Sequence, residues 1–231
     1  MTAELELSDT KRELVLAAEK LFATQGIAAT TIRQINAAAG QKNQSAIHYH
    51  FGSREAVLDA LIEMRTTPAN RLRTELLADC RARAGGRPLS THEMVHILIE
   101  PNVRRLLDPS PPNYAARLML QLRVDLEMWR RYERLGPAES LEEIHAELRR
   151  ARPFLPTAVV RSRFRLANNM SLISLAEIEY AQERLGPRFS RDEAEFRIAD
   201  MRAAMCAVID APVSADAVFA MQASPKIIDV D

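Results

Sequence analysis

Two short stretches of this 231-residue sequence hold residue types whose spacing could do chemistry. The first, His92-Glu93-Met94-Val95-His96, spells H-E-x-x-H. On a helix its histidines stand one turn apart and can share a zinc ion while the glutamate acts as base. The second runs from Lys42 to Phe51, reading KNQSAIHYHF. It gathers the amide, hydroxyl and imidazole groups that hydrogen-bond base edges and phosphate oxygens.

The zinc reading is the weaker one. Glu93 is already accounted for as the capping-box partner of Ser90, three residues before it. The motif falls in the first turn of its helix, with Pro101 close behind, and no obvious third ligand follows, since nothing supports a pairing geometry for Glu100 two turns along. Five-letter motifs match by chance often. A helical zinc hydrolase using His92, Glu93 and His96 therefore stays the alternative; the expectation is a non-enzyme with no metal and no cofactor.

The elements around the second stretch fit its chemistry. Leu14, Ala17, Ala18, Leu21 and Phe22 recur at helical spacing, and Gly26 ends that helix. Ile32, Ile35, Ala38 and Ala39 mark a second, short helix stopping at Gly40, and a third runs from about Gln44 to Phe51. Short helix, glycine turn, short helix is helix-turn-helix geometry, whose second helix enters the major groove. Ile47 and Phe51, four apart, anchor that helix; Ser45, Ala46, His48, Tyr49 and His50 occupy its remaining surface. Small side chains at Ser45 and Ala46 permit close approach to the bases. Asn43, Gln44 and His48 suit base edges, and Tyr49 and His50 suit phosphates. Between Thr10 and Arg54 six cations, Lys42 among them, face only Glu13 and Glu19, a local excess of four on a chain with no net charge.

Thr10 to about Leu61 resembles the N-terminal domain of the tetracycline-repressor (TetR) family of bacterial transcription regulators. AAEKLFATQGIAATTIRQINAAAG, then IHYHF, then GSREAVLDAL carry the resemblance in order. It implies that Thr31 and Arg33 open a backbone-contacting helix. It also implies that Ser45, Ala46 and His48 meet bases, that Tyr49 and His50 clamp the backbone, and that Arg54 starts the fourth helix as a basic contact. The turn after Gly40 is one residue longer than the family's commonest pattern, and His48 replaces the usual tyrosine.

Helical spacing continues to the end, with capping boxes at Thr10–Glu13, Thr31–Gln34, Ser90–Glu93, Ser140–Glu143 and Ser190–Glu193. Ser53 caps a long fourth helix that Pro68 should kink or break. A segment reaching about Leu107 should break at Pro101. One helix is expected over 113–135, ended by Gly136-Pro137, then others over 141–150, 157–185 and 191–211. The class is all-α with about nine helices. Residues 9–66 form the DNA-binding domain, 67–211 a ligand-binding and dimerisation domain, and 212–231 a short helix or tail.

Ile198, Met201, Met205 and Val208 repeat at alternating threes and fours, an a/d seam. The preceding helix is apolar nearly all round at Leu166, Met170 and Ile173. Both helices are expected to pair across a twofold axis in a homodimer, as the resemblance also implies, matching a palindromic operator on double-stranded DNA. Nine methionines and one tryptophan serve cores more often than ligands. Candidates for a small, largely apolar effector are Met64, His96, Tyr114, Arg117, Met128, Trp129, Asn168 and Asn169. The longest uncharged stretch, Leu21 to Ile32, holds twelve residues, short of the ~20 a spanning helix needs, and the acidic N-terminus has no signal-peptide core. With two isolated cysteines, a cytoplasmic protein without membrane contact is expected.

Overall fold

Apolar residues at helical spacing, capped at their N-termini, leave only helices to build with. The computed structural model describes residues 7–43, 45–108, 113–135 and 139–223, and those residues form eleven α-helices, one 3-10 turn and no strand. In order they are α1 Asp9–Gln25, α2 Ile32–Ala38, α3 Ala46–His50, α4 Arg54–Ala84, α5 Thr91–Leu107 and α6 Ala115–Val124. There follow α7 Leu126–Leu135, α8 Glu139–Ala151, α9 Thr157–Leu185, α10 Arg191–Asp210 and α11 Ala215–Ala223. Among the described residues no helix is long and apolar enough to cross a membrane.

Several expected boundaries move, each for a local reason. Pro68 does not break α4 and Pro101 does not break α5. Buried residues on both sides of each proline, Leu61 and Leu77 in α4, Leu98 and Leu106 in α5, pack the flanking turns into the cores. The single helix expected over 113–135 is instead two. Asp125 leaves helical geometry at φ −108°, ψ 115°, and its Oδ1 accepts N–H bonds from Glu127 (2.9 Å) and Met128 (3.1 Å), capping α7. Thr10 is not a cap, because α1 already starts at Asp9 after Ser8. Ser140 lies inside α8, where its hydroxyl bonds Asn70 Oδ1 at 2.7 Å. Thr31 and Ser90 do form full capping boxes. Gly136-Pro137 lies outside the described residues.

Two hydrophobic cores result. The front core joins Leu14, Phe22, Ile35, Ile47, Leu58 and Leu61 to Tyr114, Leu118 and Leu122, which α6 inserts from behind. The rear core is built from α4, α5, α8, α9 and α10. No linker separates them: α4 runs through residue 66 and serves both, and α6 packs on both α1 and α9.

The a/d seam of α10 needs correcting. Ile198, Met201 and Met205 are buried in the rear core of their own chain, against α9 and α5, and Val208 is half-buried. A seam of this period requires a helical partner but does not say whose, and here the partner is internal. On α9, Leu166 and Ile173 do remain exposed, with Met170 half-buried between them. Tyr180, one further heptad along, and Phe196 on α10 are exposed apolar residues too.

Candidate nucleic-acid interface

The front of the molecule is built from α2 and α3. The Thr31 hydroxyl accepts from the Gln34 N–H at 3.3 Å, and the Gln34 side chain accepts from the Thr31 N–H at 2.8 Å, so α2 starts cleanly. Gly40 turns the chain at φ +66°, a conformation glycine adopts without strain. Asn43 then prepares α3: its Oδ1 accepts from the Ser45 N–H at 2.9 Å and its carbonyl from the Ala46 N–H at 3.1 Å. Ile47, fully buried, fixes α3 to the front core.

This leaves a polar outer face. Tyr49 is 83% exposed and meets the His50 ring edge-on, centroids 4.9 Å apart. His48 is exposed, and its Nδ1 lies 3.1 Å from the Gly52 carbonyl. A carbonyl only accepts, so Nδ1 is the donor in this contact. Arg33, Lys42, Asn43 and Ser45 are exposed around it, and neither Arg33 nor Lys42 forms an ion pair among the described residues. Gln44 lies outside the described residues.

Two expected contacts sit elsewhere. Ala46 is 5% exposed and faces the core, not the groove-ward surface; helical geometry places it on the same side as Ile47. Arg54 spends its guanidinium internally, donating to the carbonyls of Ile27 (3.2 Å), Ala28 (3.4 Å) and Thr30 (3.0 Å) and pairing with Glu55. It ties the loop before α2 to the start of α4.

The H-E-x-x-H motif is consumed by structure. Glu93 closes the Ser90 capping box and forms a two-point pair with Arg87 at 2.8 and 2.9 Å. The Arg87 guanidinium, then the Ser90 N–H, hold its carboxyl down to about 2, far too weak a base for catalysis near neutrality. His96 lies 3.3 Å from Glu100, and Met94 is buried.

The sequence profile of bacterial regulatory proteins, tetR family, matches residues 14–61, from α1 into α4. Over those residues the chain is similar to the TetR family. An HTH-type transcriptional repressor of Mycobacterium tuberculosis is 34% identical over 125 residues, covering 48% of this chain and 64% of the relative. A regulator of the same type from Mycobacterium bovis aligns equally. The chain thus matches slightly less than two-thirds of the length of these curated relatives. Among solved structures, the fatty acid degradation regulator FadR from Bacillus halodurans shares the fold at a TM-score of 0.58 and 15% identity, covering 89% of this chain and 97% of its own. AmtR from Mycobacterium smegmatis does so at 0.51 and 16%, covering 90% and 96%. The structural matches show the fold, and the likeness to the family rests on residues 14–61.

Behind α1, α2 and α3, the expected effector residues scatter. Tyr114 lines a cavity of about 590 Å³ and Arg117 another of about 600 Å³. Met64 and Met128 pack against the front core. Trp129 stacks on Tyr132 at 4.8 Å, and Asn168 spends its carbonyl on the Ser171 hydroxyl. Asn169 Oδ1 is buried without a partner. His96, Asn168 and Asn169 border neither cavity.

What sequence reasoning missed is a set of buried charges. Glu179 of α9 accepts the N–H groups of Ala116 (2.9 Å) and Arg117 (3.0 Å), capping α6 from another helix. Burial pushes its carboxyl up to about 7, against those two bonds. The folded state therefore holds this proton more tightly than the unfolded chain does. Its contribution to stability is full below about pH 4.5 and is lost as pH rises to about 7, a change on the order of 3 kcal/mol. Glu179→Gln is expected to flatten the fall in urea midpoint between pH 5 and 7. An unchanged slope would show that Glu179 is not the group responsible.

Proposed function

We propose that this chain is a sequence-specific DNA-binding transcriptional regulator that works in the cytoplasm as a ligand-responsive homodimeric repressor. The observation that carries this is the outer face of α3, where Tyr49, His48 and Ser45 stand clear of the core on a helix that Ile47 buries into it. The repressor description of the mycobacterial relative favours repression as the outcome of binding.

Thr31 and Arg33 at the start of α2 contact phosphates, with Lys42 and His50 beside them. Asn43, Gln44, Ser45 and His48 read base edges, and Tyr49 anchors the backbone. A second copy of the chain supplies the second recognition helix, docked through Leu166, Met170, Ile173 and Tyr180 on α9 and Phe196 on α10. On α10 the neighbouring exposed residues Ala199, Ala203 and Ala207 are small, so a partner's large side chains have room against them. The operator is then a palindrome whose half-sites lie one turn of duplex apart, ~34–36 Å.

A small effector held by the rear domain changes the spacing of the two heads. Two links transmit the change. Arg131 of α7 pairs with Asp59 and donates to the Glu55 carbonyl at 3.3 Å, both in the opening turns of α4. Leu118 and Leu122 of α6 sit in the front core. The effector must bind one arrangement better than the other; a five- to 150-fold preference is typical, roughly 1–3 kcal/mol.

The test uses a duplex recovered by selection from random sequence, titrated by fluorescence anisotropy. Tyr49→Ala should weaken binding to every duplex, by roughly 1 kcal/mol or more. His48→Ala should instead relax the preference at one position per half-site, by about 1–3 kcal/mol. Affinity should fall steeply with salt. If both variants bind as the parent does, the segment assigned to the groove is wrong.

A further inference from the structure

The described chain ends in a helix, α11, whose apolar side chains stand in solvent. Every residue from Ala215 to Ala220 is exposed, and Phe219 keeps 72% of its surface. Yet the helix is well specified locally. Pro212 keeps α10 from running on, and Ser214 caps the new helix, its Oγ accepting the Ala217 N–H at 3.2 Å. Ala215, Val218 and Phe219, spaced at three and four, fall on one face. Nine residues are too few to hold a helix in water unaided, where about 12–15 are needed. A helix this short persists by docking its apolar face.

Where α11 leaves the chain says what it meets. Asp210, the last residue of α10, pairs with Arg152 and accepts the Thr91 hydroxyl at 2.8 Å. Arg163 Nη1 donates to the Ile209 carbonyl at 3.2 Å. These contacts set the root of α11 beside the α8–α9 corner and the opening turns of α9. The same corner carries Phe154, 78% exposed, and Leu166 stands exposed just beyond it, where the apolar face of α9 begins. The chain's own α11 covers neither.

That corner is the end of the molecule away from the reading head. The other end of α9, at Tyr180 and Arg184, lines one cavity together with Ala23 of α1. Two heads on one duplex point the same way, so two copies joined along α9 also set their far corners side by side across the twofold axis. Residues 211–214 link α10 to α11 and span ~14 Å when extended. The helix itself adds about another 14 Å, enough to reach across.

We propose that α11 is an exchanged arm: each copy in the homodimer lays Ala215, Val218 and Phe219 over the α8–α9 corner of the other, against its Phe154 and Leu166. This deepens the homodimer reading above and rests on it. The exchange extends the α9 contact at its far end, and the symmetry axis supplies it twice. Because each arm is taken up by the copy it reaches, the pair closes on itself and offers no apolar helix to a third chain.

Sedimentation velocity of the full chain, free of DNA and over a range of concentrations, measures the dimer dissociation constant. Val218→Ser combined with Phe219→Ser should raise it roughly a hundredfold, because two apolar anchors are lost at each of two symmetric contacts. No core residue is touched, so the thermal melt of the double variant should stay cooperative. In a second experiment, p-benzoylphenylalanine replaces Phe219, and this chain is mixed with an isotope-labelled copy that lacks the probe. Irradiation should join two chains, with the adduct on the labelled copy between Arg152 and Leu166. An adduct confined to the probe's own chain, or a dissociation constant raised less than about threefold in the double variant, would overturn the proposal. A parent chain that stays monomeric would remove the homodimer and the arm with it. A parent dimer indifferent to both substitutions would remove the arm alone.

Discussion

Replacing Glu19 with Ala is expected to lower the stability of the protein by about 3–5 kcal/mol, read as a fall in urea midpoint. Glu19 is 1% exposed on α1 and takes both donors of the Arg65 fork, Nε at 2.7 Å and Nη2, from α4. Removing the carboxylate leaves the guanidinium in a dry seam with Arg105 as a like charge nearby. Most of the loss is that stranded charge and not the worth of the pair itself. The double variant Glu19→Met, Arg65→Met should therefore recover most of the midpoint, since similar apolar volume replaces both ions. A single variant losing under about 1 kcal/mol would mean the pair is solvated, as surface pairs are.

Ile173→Arg is expected to dissociate the proposed dimer and with it operator binding. Ile173 is half-exposed on α9 between Leu166 and Tyr180, at heptad steps, and Phe196 on α10 is 71% exposed. A twofold contact sets the same patch against itself, so one substitution places two arginines in one apolar interface. Light scattering should then report a particle near the chain mass of 26.0 kDa instead of twice that. Losing the second reading head should cost about a hundredfold in operator affinity, because linked sites gain avidity of that order. A variant that stays dimeric would place the contact on another face.

The same α9–α10 region shows where sequence reading stops. Its period shows that α10 needs a helical partner, and Ile198, Met201 and Met205 are buried as that period demands. Yet a heptad seam looks alike whether it meets its own chain or a copy, and the apolar side chains left exposed here are on α9 and at Phe196. The reading head was more legible because its signals are local: the Thr31–Gln34 capping box, a glycine at positive φ, and Ile47 one turn before Phe51. Ala46 and Arg54 were misplaced because burial and long-range carbonyl contacts leave no mark on neighbouring letters. Glu19–Arg65, Glu179 on α6 and Arg73 on the Leu98 carbonyl are contacts between distant segments, and no periodicity announces them. The prolines at 68 and 101 were overruled by packing on both flanks, and the break at Asp125 was set by one side chain bonding two backbone N–H groups.

The most direct test of the central claim, that α3 reads duplex DNA in pairs, is sedimentation velocity of the protein on the duplex recovered from random-sequence selection. Two chains on one duplex, with the recovered sequence a palindrome of two half-sites one helical turn apart, is the predicted result. A single chain per duplex, or a recovered pool with no shared sequence, would contradict it.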